Sequence, residues 1–172
     1  MIKTFNSLLV TMFGLGKIKF APGTFGSLAT VIILFYLFHI LNISPKIILI
    51  GLITIFVYSF YAVSTYTKNS TNKDPGEIVI DEFLGQSIPI YFYEISHGTQ
   101  KEDAEAIIVY ILFFFLFRYF DIAKPFPVNF FDKNFKNSFG VIMDDIFAGL
   151  YVILTVVFFM ILKNYILWWK IL

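Results

Sequence analysis

The sequence predicts an all-α, multi-helix membrane protein, with about four to five transmembrane or re-entrant helices gathered in a single helical domain over residues 1–172. Three observations lead there. Of the 172 residues, 58% are apolar and 20% aromatic, and only 15% are charged, against roughly 25% in an ordinary soluble domain. A soluble domain of this size would leave much of its 23 Phe as exposed apolar patches. The apolar residues also gather in five long runs separated by turn signals, with the charges concentrated at the ends of those runs.

The runs are 27–41, 47–66, 77–93, 104–120 and 146–167. The second and fifth approach the roughly 20 residues that a helix needs to cross a bilayer. The other three are shorter and are expected to thin the bilayer locally or to be partly re-entrant. Turn chemistry marks the connections: Asn42 to Pro45, Thr67 to Pro75, Ser96 to Gln100, and a long 121–145 segment with Pro125, Pro127 and Gly140. Before the first run, Lys3, Asn6, Ser7 and Gly14 interrupt the N-terminal stretch, and no small-residue cleavage site follows, so no signal peptide is expected. Lys163, Lys170, Trp168 and Trp169 fit an interfacial belt at the end of the last run.

If all five runs cross, one side carries Lys3, Lys17, Lys19, Lys68, Lys73, Arg118, Lys124, Lys133 and Lys136. The other carries only Lys46, Lys101, Lys163 and Lys170. The positive-inside rule makes the first side cytoplasmic. The acidic clusters fall on that same side.

Those clusters carry the functional argument, because an ionisable group at the edge of a buried apolar helix costs free energy and marks a site. The first is Asp74-Pro75-Gly76-Glu77 running on to Asp81-Glu82. Asp before Pro, with Glu two residues further on, is what a helix start prefers, so capping competes with a functional reading for Asp74 and Glu77. It does not account for Asp81, one turn deeper. At spacing i, i+3, i+7 the carboxylates of Asp74, Glu77 and Asp81 would line one helical face. Glu82 would point a quarter-turn away, toward a neighbouring helix or lipid headgroups. Such a stripe repels itself unless cations or protons lie among the carboxylates, and oxygen donors suit Mg²⁺, Mn²⁺ or Ca²⁺.

The second cluster is Arg118, Asp121 and Lys124, spaced by three at the end of a helix that Pro125 closes. It reads either as an exposed ion-pair ladder or as a carboxylate between two cations that can grip a phosphate. The third, Asp144-Asp145, opens the last apolar run, where helix capping competes with metal ligation or base chemistry. A fourth segment, Ala21-Pro22-Gly23-Thr24-Phe25-Gly26-Ser27, has the glycines and hydroxyls of an anion-binding helix entry. The chain has no cysteine, which excludes thiolate catalysis, and its two histidines, His39 and His97, lie far from every acidic cluster. A net charge of +1 argues against a nucleic-acid partner.

In this order, four blocks resemble the phosphatidylglycerophosphatase A family of bacterial lipid phosphatases. They are the 21–27 entry, Asp74 through Glu82, Phe117-Arg118-Tyr119-Phe120-Asp121-Ile122-Ala123-Lys124-Pro125-Phe126-Pro127, and Phe139 through Gly149 with its Asp144-Asp145. Phe126 stands where the family has Trp, and Asn137-Ser138 where it has a Gly pair. The resemblance implies Mg²⁺-dependent hydrolysis of phosphatidylglycerophosphate to phosphatidylglycerol and phosphate at the cytoplasmic face of the bacterial inner membrane. It implies Glu77, Asp81 and Asp145 as metal ligands, and Asp81, Asp121 and Asp144 as catalytic carboxylates. Asp121 or Asp144 would orient a water or attack the phosphorus directly. Gly23, Thr24, Ser27, Arg118 and Lys124 would bind the phosphate. The phospholipid and the bilayer are the expected partners. The alternative from another class is a non-enzymatic polytopic protein that binds or carries divalent cations.

Overall fold

A computed structural model of the chain describes residues 2–68, 75–97 and 102–169, with side chains described for 4–68, 75–96 and 102–165. Every regular element among them is helical. In chain order these are α1 (Ile2–Val10), α2 (Pro22–Phe35), α3 (Pro45–Thr67), α4 (Ile80–His97), α5 (Asp103–Ala123), α6 (Val128–Asn134) and α7 (Ser138–Trp169). A 3₁₀ turn (Leu15–Lys17) follows α1, and a π-helical turn (Tyr36–Ile40) extends α2.

Four stretches are long and apolar enough to cross a membrane: Pro22–Ile40, Pro45–Thr67, Asp103–Ala123 and Ser138–Tyr165. They make the chain a multi-pass membrane protein. Pro starts both α2 and α3 at the first helical position, where its missing N–H is no loss. Residues such as Ile50, Val57, Ile108, Phe115 and Ile161 turn outward, as apolar helices do when lipid is the solvent.

The third predicted run behaves differently. Helix α4 begins at Ile80, not at Pro75, because residues 75–79 form a turn with Ile78 N–H on the Pro75 carbonyl and Val79 N–H on that of Val10. The single carboxylate stripe expected from Asp74 through Asp81 therefore does not form on this helix, and Asp74 itself lies outside the described residues. Helix α4 is less apolar than the four candidate spans because it sits among α2, α3, α5 and α7, with Gln86 and Ser87 buried along it. At 18 residues it is about 27 Å long, and it joins two polar ends. Asp81 stands at one end. At the other, Glu94 lies 3.4 Å from His39 Nε2 and accepts a hydrogen bond from the Tyr110 hydroxyl at 3.1 Å.

The N-terminal stretch adds a helix, and two expectations at the termini of elements change. Residues 2–10 are helical and fold back onto α3, where Tyr58 donates to Asn6 at 2.8 Å. His97 is the last residue of α4, not part of a loop. The 121–145 segment is largely helical, because α5 continues to Ala123 and α6 and the first turns of α7 fill the rest.

The α4–α7 contact fixes the bundle. A Cβ on Gly149 would overlap the Gly85 carbonyl oxygen, and a Cβ on Gly85 would overlap the Asp145 carbonyl. Pro89 has no N–H to give the Gly85 carbonyl, four residues earlier, its usual intrahelical bond. The close approach of Gly149 shields that carbonyl from lipid. Gly149→Ala is expected to cost about 1–3 kcal/mol through overpacking. Gly51→Ala, where no atom lies within 4 Å, is expected to leave stability unchanged or slightly raised. Thermal unfolding of both variants in detergent checks the contrast.

Candidate active site

The site is built where α4 starts, α5 ends and α7 is two turns old. Asp81 and Glu82 occupy the first turn of α4, and Asp145 reaches them from α7. One carboxylate oxygen from each lies within 4.8 Å of the others. Asp81 and Asp145 are buried, at 7% and 3% exposure, and Glu82 is nearly so. Three carboxylates at such a distance repel one another unless a cation or protons stand among them. Asp144 and Asp145 sit well inside α7, which starts at Ser138, so helix capping does not explain them.

Two cations flank the carboxylates. Arg118 Nη1 lies 2.7 Å from Asp121 Oδ2, 3.8 Å from Glu82 Oε1 and 3.5 Å from Ser27 Oγ. Lys124 ends α5 in a left-handed conformation (φ 44°). This turns its side chain toward α6 and α7, with Nζ 2.8 Å from Asp132 Oδ1 and 3.1 Å from Asp144 Oδ2. Burial works against the Lys124 charge, yet the two carboxylates outweigh it and hold the ammonium above the usual lysine range. For Asp132, partial burial is outweighed by Lys124, Lys136 and Lys133, which hold its carboxyl below the usual range. The stabilisation from Asp132 is thus present above its unfolded-state pKa and fades as pH falls through the lowered native value.

The entry to α2 closes the site from the side. A Cβ on Gly23 would press on the tip of the Glu82 side chain and crowd Arg118 Nη1, so a larger residue here would displace the Glu82 carboxylate. The anion nest expected there is largely consumed, since the Thr24 and Phe25 N–H groups both bond to the Ala21 carbonyl. Ser27 is buried and gives its hydroxyl proton to the Gly23 carbonyl at 2.9 Å while facing Arg118. Thr24 is half-buried beside them.

The predicted residues are thus partly assembled. Asp81, Asp145, Arg118, Asp121, Ser27 and Gly23 form one group, joined through adjacent residues to Lys124 and Asp144. Glu77 stands apart, exposed, accepting a hydrogen bond from Tyr66 at 2.8 Å. Glu82 takes the position expected of Glu77. It does meet a neighbouring helix, through Arg118, but it also completes the carboxylate triplet. Glu82 follows Asp81 directly in sequence, and the helix start at Ile80 brings it, rather than Glu77, to Asp145. Asp132 was not singled out at all. Its only sequence cue is a lone acid among basic residues, eight positions beyond Lys124.

Comparison with known proteins now bears on this geometry. The family described as phosphatidylglycerophosphatase A matches residues 8–160. A Haemophilus influenzae protein named phosphatidylglycerophosphatase A is 38% identical over 149 residues, covering 87% of this chain and 85% of its own length. An Escherichia coli protein of the same name is 33% identical, with 83% of this chain and 76% of the relative covered. The chain belongs to the phosphatidylglycerophosphatase A family. It is therefore an enzyme, a phosphoric monoester hydrolase, and the non-enzymatic cation carrier is set aside. A Bacteroides thetaiotaomicron relative, 34% identical over 84% of this chain and 86% of its own length, is named a putative phosphatidylinositol-3-phosphatase. No solved structure matches the chain.

Arg118 is the cation on which Asp121 and Glu82 both lean. Arg118→Gln would leave Asp121 and Glu82 without it. Because the three side chains are 14–16% exposed, the expected loss is about 2–3 kcal/mol, under the roughly 3–5 kcal/mol for a fully buried pair. Unfolding in detergent, compared with the milder Arg118→Lys, checks this.

Proposed function

We propose that the chain hydrolyses phosphatidylglycerophosphate to phosphatidylglycerol and inorganic phosphate, with Mg²⁺, at the cytoplasmic face of the bacterial inner membrane. The observation that carries this reading is the buried triplet Asp81, Glu82 and Asp145 flanked by Arg118 and Lys124, in a chain matched to the family from residue 8 to 160.

The donor set fits the metal. It consists of carboxylate oxygens, which hard divalent cations prefer, and Glu82 Oε2 is buried without a hydrogen-bond partner among the described residues. Asp81, Glu82 and Asp145 would hold Mg²⁺, with Glu82 replacing the expected Glu77. When bound, the metal supplies charge neutralisation at the phosphoryl oxygens.

The chain's own residues do the rest. A phosphate monoester resists attack chiefly through its charge, so cations aimed at its oxygens lower the barrier. Arg118, steadied by Asp121 and carrying a buried Nε without a partner, presents its guanidinium to the phosphoryl group. Lys124 presents an ammonium from the other side. Asp121, paired with Arg118, or Asp144, paired with Lys124, would orient a water or attack the phosphorus itself and displace the phosphatidylglycerol oxygen. Gly23 and Ser27 shape the wall behind Arg118. Phe13, Phe20 and Phe126, all more than 70% exposed, lie in connections at this same end. They support a site at headgroup depth, with the acyl chains left in the bilayer. The cytoplasmic orientation rests on the nine-to-four distribution of Lys and Arg, which requires that α4, 18 residues long and enclosed by the other helices, crosses together with the four apolar stretches.

The test is phosphate release from phosphatidylglycerophosphate by purified protein in detergent, with Mg²⁺ and with EDTA. Metal-dependent release is expected, reduced about 10²-fold or more in Asp81→Asn, Glu82→Gln and Asp144→Asn and close to wild type in Glu77→Gln. No release from a folded sample would sink the substrate assignment. Equal damage from Glu77→Gln and Glu82→Gln would sink the ligand set. Because of the Bacteroides relative's name, phosphatidylinositol 3-phosphate belongs in the same assay, where slower release than from phosphatidylglycerophosphate is expected.

A further inference from the structure

We infer that Asp132, which lies on α6 outside the carboxylate triplet, is a positioning residue that sets Lys124 against Asp144 and so keeps both groups aimed at the substrate phosphate. The inference rests on the reading above.

Helix α6 is held firmly against α7. It has only seven residues, too few to be stable alone. Val128 is fully buried, and the Phe131 ring stacks on Phe147 of α7 at 4.7 Å and 14°. Phe131 also packs on Phe135 and Phe139. Before α6, the Tyr151 hydroxyl of α7 donates to the Phe126 carbonyl. The short helix is therefore a rigid extension of α7, and its acid, Asp132, is fixed relative to Asp144.

Lys124 is the flexible partner. Its four-carbon stem starts just past the end of α5, and its side chain is 31% exposed. Without a second anchor the ammonium would be free to swing out to solvent or to collapse onto the more negative triplet around Asp145. Asp132 Oδ1 at 2.8 Å and Asp144 Oδ2 at 3.1 Å hold it between two fixed points. Lys136 donates to the Asp132 carbonyl at 2.6 Å and, with Lys133, adds positive charge behind the Asp132 carboxylate. Asp144, 9% exposed at its side chain, then has a fixed cation on its outer oxygen. A phosphate arriving at the site meets an ammonium and a carboxylate already in register, which is where a positioning contact contributes most to rate.

The experiment is a double-mutant cycle on Asp132 and Lys124 in the full chain, assayed for release from phosphatidylglycerophosphate with saturating Mg²⁺. Asp132→Asn, nearly isosteric, is expected to lower kcat about tenfold or more, with Mn²⁺ affinity measured by spin resonance unchanged. Asp132→Glu should restore part of the loss. Because Asp132 acts through Lys124, Asp132→Asn combined with Lys124→Met should be no slower than Lys124→Met alone. Full kcat in Asp132→Asn overturns the inference, as do losses that multiply in the double variant. A fall in kcat that follows only a fall in folded fraction, judged by thermal unfolding of the same samples, assigns Asp132 a purely structural role and overturns it too. If Asp132→Asn does not fold, Asp132→Glu against Lys124→Arg decides the same coupling. A folded wild type that releases no phosphate removes the substrate reading instead, and the inference with it.

Discussion

Carboxylates inside an apolar bundle are tolerated only where cations or hydrogen bonds stand against them, and the arrangement of α2, α4, α5 and α7 answers to that constraint. Asp81, Glu82 and Asp145 come together at one end of the bundle. Arg118 and Lys124 reach that end from the last turn of α5 and the residue after it, each bridging two carboxylates. Acids still outnumber bases around the site. That excess suits the proposed divalent cation, whose charge would offset part of it.

The close helix contacts serve this electrostatic arrangement. Gly85 and Gly149 let α4 and α7 approach until backbone meets backbone, which draws Asp145 toward Asp81 and Glu82. Gly23 leaves room for the Glu82 and Arg118 side chains against the first turn of α2. In lipid, where apolar surface gains little by leaving the solvent, small residues and tight packing are what hold helices together. The glycines that look like loose points in the sequence are therefore the tightest points of the bundle. The far end, where His39 lies between Glu94 and Asp103, ties α2, α4 and α5 together at a distance from the chemistry.

Much of this was legible beforehand. Long apolar runs announce membrane helices because the bilayer imposes length and composition locally, and the four candidate spans fall on the predicted stretches. The clustering of Asp81, Arg118, Asp121, Lys124, Asp144 and Asp145 was legible because charge at the edge of an apolar run is conspicuous. Less legible was the phase of each helix. In the sequence Asp144 and Asp145 stand where the last apolar run opens, as caps do, whereas the start of α7 at Ser138 places them about two turns inside. Likewise a start at Ile80 puts Glu77 on the surface beside Tyr66 and turns Glu82 inward.

The sequence by itself determined an all-helical membrane chain, the residues able to carry its chemistry and the family to which those residues belong. Composition, run length and ordered motifs are local properties, and they survive any rearrangement of the helices around them. The tertiary structure alone decided which carboxylates meet. Membership of the triplet depends on where α4 begins, on a rotation of about 100° per residue, and on how closely glycine lets α7 and α2 approach. The link from Asp132 to Lys124 depends on α6 docking its phenylalanines against α7, a contact that no spacing along the chain encodes.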